Sequence, residues 1–320
     1  MDKQENSISK KWILLIYFVL CFYYFGVAMM TYFVSYPQLQ KVSKNIDNYM
    51  QLFNDKMMLF FYFPAVLMFL SLILVIYFCS NLFSRAILWT SLGFAVLSLS
   101  TTFFAIVPIH NELPSLELTT ELSSKLLIYA MYFQVIPAAV QVILAIGMLY
   151  KYLKDTSTSL MGIWLYIAVF CLSIYSWGTL YIESLVGYPM WLLVDPSEWL
   201  ATREAVGLNI PAFIWVFLIP VYLPLILLIP MFWKRPNGVS KYSVAIMFLM
   251  LLWVFIITAI YFVPDIQLKL AEGYNNILIE NLNKFDFPLR GIPDLIYFFT
   301  VCYMFLKINK LKNKSGIIQP

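Results

Sequence analysis

Apolar residues run in stretches of about twenty along almost the whole chain, separated by polar breaks. About twenty helical residues are needed to cross roughly 30 Å of hydrocarbon. The pattern predicts eight membrane-spanning helices, at about 12–36, 57–79, 86–108, 126–149, 160–187, 211–232, 242–263 and 291–308. The connections alternate in kind. Those after the second, fourth and sixth runs are short ("SNLFSRA", "KYLKDTSTS", "KRPNGVSK"), whereas the others extend to about twenty residues and carry many carboxylates. The first run is too long for the apolar core of a secretory signal, and no small-residue cleavage site follows it, so it reads as a retained span.

Composition agrees with this pattern. The chain is 62% hydrophobic and 12% charged, about half the charge of an ordinary soluble domain. The distribution of charge then sets a direction. The N-terminus, the three short connections and the C-terminal stretch together carry +10, and the remainder carries −6. Lys and Arg in short loops are retained on the cytoplasmic side. Both termini are therefore expected in the cytoplasm, with the chain in the plasma (inner) membrane and the acidic loops outside. The basic stretch 309–320 is expected to contact anionic lipid headgroups. It is too short, and too poor in aromatic residues, to suggest nucleic acid as a partner.

The chain also repeats itself. "GVAMMTYFVSYP" at 26–37 returns as "GTLYIESLVGYP" at 178–189, 152 positions later. Beyond the first helix the offset is 156: Pro64 matches Pro220, Pro108 matches Pro264, and Pro137 matches Pro293. A four-residue insertion between the fifth and sixth runs accounts for the change. The expected fold is thus an all-α integral membrane protein of two tandem four-helix units, 12–150 and 160–308. Four is even, so both copies enter the bilayer in the same sense and are related by a pseudo-twofold axis along the membrane normal.

Candidate chemistry is sparse. Cys21, Cys79, Cys171 and Cys302 form no C-x-x-C pair and suit small core residues. The one histidine, His110, excludes a bis-histidine haem and a multi-histidine metal site, and no phosphate loop or hydrolase elbow is present, so no cofactor or metal is expected. Ionisable groups within spans are costly and mark candidate sites. Glu183, Asp265, Arg290 and Asp294 stand where the first unit has Thr31, Ile109, Gln134 and Ala138. They place any ligand site in the second unit, toward its outer end. Glu183 has two readings: a carboxylate paired for packing, with Arg290 or Arg203 as its cation, or a group that orients a ligand. Asp265, Arg290 and Asp294 also suit span ends in contact with water and headgroups. His110 reads as an interfacial histidine before a general base. Trp191, Trp199 and Trp215 suggest an interfacial belt.

The third run ends in "TFFAIVPIHNEL", and the first ends in proline after an aromatic residue. Here the unit resembles the four-span membrane domain of unknown function that includes the fungal anthrone oxygenases, once over 12–150 and again over 160–308. Members often carry an acidic residue before the first proline, where Tyr36 and Tyr188 stand here. The resemblance implies a cofactor-independent oxygenase acting on a membrane-soluble aromatic substrate, with Glu183 or His110 as the base. The residues themselves point more directly to a non-enzymatic carrier or envelope-complex component. Such a protein would have the lipid bilayer around it and a hydrophobic ligand or a membrane-protein partner bound. Ion or proton transport would rest on Glu183 alone.

Overall fold

The computed structural model describes residues 2–113, 120–154, 159–207 and 213–308. The basic stretch 309–320 lies outside them. The described residues are almost wholly helical and contain no strand. Seven helices are long and apolar enough to cross a membrane: α1 (Ser9–Leu39), α2 (Ile46–Leu82), α3 (Arg85–Glu112), α4 (Ser124–Leu153), α5 (Leu160–Trp191), α7 (Lys241–Glu272) and α8 (Asn276–Lys307). This is a multi-pass membrane protein. Between α5 and α7 lies the shorter apolar helix α6 (Ile219–Lys234), continuous with a wide turn at Phe213–Leu218.

Two expected loops are helical instead. Residues 46–57 extend α2, and residues 276–290 extend α8. Each extension is amphipathic. Tyr49, Met50, Phe53 and Met57 form one buried stripe, and Ile279, Leu282 and Asp286 form another. Their opposite faces carry Asp, Asn, Glu and Lys, so the average hydropathy is low although one face is core.

Every one of the eight helices contains a π-helical turn that precedes or surrounds a proline. In six of them the residue before proline donates its N–H to the carbonyl five positions back: Tyr36 to Thr31, Phe63 to Met58, Val107 to Thr102, Ile136 to Met131, Tyr188 to Glu183 and Ile292 to Phe287. Proline has no N–H, and in a regular helix its ring collides with the carbonyl four residues earlier. One extra residue in the turn moves that carbonyl aside and lets the helix continue. In lipid this matters, because freed backbone groups must find partners within the protein.

Helices α1 and α2, α2 and α3, α3 and α4, and α4 and α1 pack side by side; α5 and α6, α6 and α7, α7 and α8, and α8 and α5 do the same. The two sets meet where α1 crosses α5. A β-carbon on Gly26 would lie 2.3 Å from the Tyr175 carbonyl oxygen, and one on Gly178 would lie 2.5 Å from that of Tyr23. Only glycine permits this approach. At one end of the molecule, Glu198 Oε1 accepts from the backbone N–H groups of Ser43 and Lys44, each at 3.0 Å, and from the Ser43 hydroxyl. At the other, Lys11 Nζ reaches the carbonyls of Leu306 and Ile308 at 3.3 and 3.1 Å.

Candidate functional site

Glu183 opens the π turn of α5, Glu183–Gly187. Wide turns of this kind often mark functional sites, but here every helix has one, so the turn alone selects nothing. What distinguishes α5 is the space beside it. A cavity of about 600 Å³ is walled by α5, α6, α7, α8, the short helix Trp199–Gly207 and the C-terminal end of α1. Met30, Val34, Leu180, Val221, Tyr222 and Val254 give it apolar walls. Six charged residues interrupt them: Glu183, Glu204, Asp286, Asp294, Arg203 and Arg290.

Arg290 is fully engaged. Its Nε donates to Asp286 Oδ1 at 2.6 Å, Nη2 pairs with the same oxygen, and Nη2 also donates to the Tyr188 hydroxyl at 2.9 Å. Its guanidinium lies over the Phe262 ring, 4.2 Å from the centroid. Asp286 and Arg290 are four residues apart on α8, the spacing at which helical side chains meet.

Arg203 is held differently. It stacks over Trp191 at 4.7 Å and Trp199 at 5.8 Å, and Nη2 donates to Gln267 Oε1 at 2.9 Å. Burial lowers the Arg203 pKa below its ordinary value, against the opposing pull of Tyr188 and Glu183. Trp199 is itself anchored, its indole N–H donating to the Leu270 carbonyl at 2.7 Å. The two remaining cavity carboxylates on α5 and α8, Glu183 and Asp294, take part in no ion pair among the described residues. Asp294 is 7% exposed and lines the cavity.

The structure therefore brings together Glu183, Arg290 and Asp294 and leaves out the other two sequence candidates. Asp265 faces outward and pairs with Lys269 at 3.1 Å, both more than half exposed. Its position after Pro264 puts it on the far face of the widened α7 turn, away from the cavity. His110 is not interfacial. It is buried near α1 and α2, with Nδ1 3.1 Å from the Tyr62 hydroxyl and its ring edge-on to Tyr36 and Phe53. Trp191 and Trp199 are buried rather than forming a belt, and Arg203 stacks on both indoles. Neither cation expected for Glu183 is bonded to it: Arg290 pairs with Asp286, and Arg203 donates to Gln267. Asp286 lies in a stretch whose average hydropathy suits a loop; its spacing to Arg290 and the apolar stripe through Ile279 and Leu282 are the signals of a helix.

The matched positions in α1–α4 hold no charge. Thr31, Tyr36, Ala130, Gln134 and Ala138 stand for Glu183, Tyr188, Asp286, Arg290 and Asp294, and all are buried. Gln134 Nε2 donates to Thr102 Oγ1 at 3.0 Å. These positions are thus neutral and packed in α1–α4, whereas those in α5–α8 line a charged cavity. No family model matches the chain, and no curated protein or solved structure matches it.

Proposed function

We propose that the protein is an eight-span carrier or envelope-complex component, without enzymatic activity of its own, that holds a hydrophobic molecule in the cavity of α5–α8. The observation that carries this reading is the cavity itself. Its volume lies within the 300–1,000 Å³ usual for small-molecule sites, and it has the usual mixture of apolar wall and a few convergent polar groups. Two tandem four-helix units, related by a pseudo-twofold axis along the membrane normal, supply its frame. The matched π turns and prolines, the reciprocal glycines at the α1–α5 crossing and the parallel packing order of the helices support that duplication. The charge asymmetry supports cytoplasmic termini in the plasma (inner) membrane.

Gly187 offers a direct test. It lines the cavity with helical backbone angles, and an added β-carbon would meet nothing closer than 3.9 Å. Gly187→Phe would place a ring in part of the cavity from a position where the β-carbon itself meets no clash. Mass spectrometry of small molecules that co-purify should find a hydrophobic compound with the parent protein and far less with Gly187→Phe. Equal amounts in both, or none in either, would defeat the carrier reading. A polycyclic aromatic compound that the protein converts under oxygen would favour the oxygenase-like alternative.

A further inference from the structure

Building on the carrier reading, we infer that the cavity selects an organic cation: an amphiphile with an apolar body and an ammonium-type head, held by Glu183 and Asp294.

The argument begins with charge. Four carboxylates, Glu183, Glu204, Asp286 and Asp294, face two guanidiniums. Arg290 is committed to Asp286 and Tyr188, whereas Arg203 stacks on two indole faces and donates to Gln267, its Nε without a hydrogen-bond partner, so that one guanidinium stands against the three other carboxylates. Glu183 and Asp294 are left to share the remaining space, on adjacent helices, with no cation bonded to either among the described residues. Asp294 supplies the second, independent observation. Its residue is more than nine-tenths buried, its carboxylate makes no hydrogen bond to a described residue, and it lines the cavity.

A carboxylate at membrane depth without a partner is costly. An occupant that brings a positive charge and N–H donors relieves that cost through charge-assisted hydrogen bonds. A metal ion is a poor candidate, since among the described residues no three His, Cys, Asp or Glu side chains come together as a ligand set. An anionic head would meet the excess of carboxylates. The apolar walls, from Met30 and Val34 across to Val221 and Val254, would cover a hydrocarbon body.

The test uses three ten-carbon probes of similar shape, decylammonium, decanol and decanoate, added to the protein in phosphatidylcholine nanodiscs. Unfolding followed by tryptophan fluorescence at increasing probe concentration gives an apparent affinity for each. Decylammonium should bind at least about tenfold more tightly than decanol, and decanoate more weakly than either. The Glu183→Gln/Asp294→Asn protein should keep decanol binding and lose the ammonium preference, to within about twofold. Asp294→Asn alone, with most of the charge pattern intact, should lose part of it and serves if the double variant does not fold. Equal binding of decylammonium and decanol by the parent protein, or a preference that survives both variants, would overturn the inference and leave the carrier reading standing. If no probe stabilises the parent protein beyond its effect on Gly187→Phe, both fall together.

Discussion

At the residue scale, Arg290 and Glu183 occupy one cavity but carry opposite risks. Arg290 neutralises Asp286, and both side chains are largely buried. Removing one partner of such a pair leaves an uncompensated charge in a low dielectric and costs roughly 3–5 kcal/mol. Glu183 belongs to no ion pair among the described residues, so its neutralisation strands no bonded cation. Arg290→Gln should therefore destabilise the protein by roughly 3–5 kcal/mol, while Glu183→Gln should change stability by less than about 1 kcal/mol. Unfolding by sodium dodecyl sulfate in mixed micelles would rank the two, and a larger loss from Glu183→Gln would refute this division of roles. The Tyr188 hydroxyl accepts a second hydrogen bond from the Arg290 guanidinium.

At the scale of the element, two local rules shape the helices. Proline imposes a wide turn, and glycine permits a close crossing. The first keeps the backbone bonded through the bilayer at the cost of one extra residue per helix; the second lets α1 and α5 touch backbone to backbone. In membranes, helix association depends on this kind of close packing, because lipid tails are as apolar as the side chains they would replace. Gly26→Ala should force the helices apart, since the new β-carbon would lie 2.3 Å from a carbonyl oxygen that has no room to withdraw. A loss of about 1–3 kcal/mol is expected. Gly93→Ala on α3, where an added β-carbon has nothing within 4 Å, is the matched control and should be neutral or slightly stabilising. Equal effects at the two positions would show that the crossing is not tight. Amphipathic extension is the element-level feature that hydropathy hides: residues 46–57 and 276–290 are polar on average and core on one face.

At the scale of the whole molecule, the first and fifth-to-sixth connections meet through Glu198, Ser43 and Lys44, while the start of α1 meets the end of α8 through Lys11 at the opposite end. Cysteines placed singly at Asn48, Ala201 and Glu280 should react with a membrane-impermeant maleimide from outside intact cells. Cysteines at Arg85 and Lys241 should react only after permeabilisation. All five positions are exposed in the fold. The reverse pattern would invert the orientation inferred from charge.

The amino-acid sequence alone determined the long apolar helices, because crossing hydrocarbon requires length and composition and little else. It also determined the matched prolines, which are local and survive as identical letters. Glu183, Arg290 and Asp294 were visible for the same reason: a charge in an apolar run stands out. The tertiary structure decided who pairs with whom. Asp286 takes Arg290 because an amphipathic segment that looks like a loop is a helix, and i,i+4 geometry then joins them. His110 and Asp265 fall away because burial and facing depend on neighbours from other helices. The cavity itself depends on side chains from α1 and α5–α8 that fail to fill a shared volume, and no single stretch of sequence records an unfilled space.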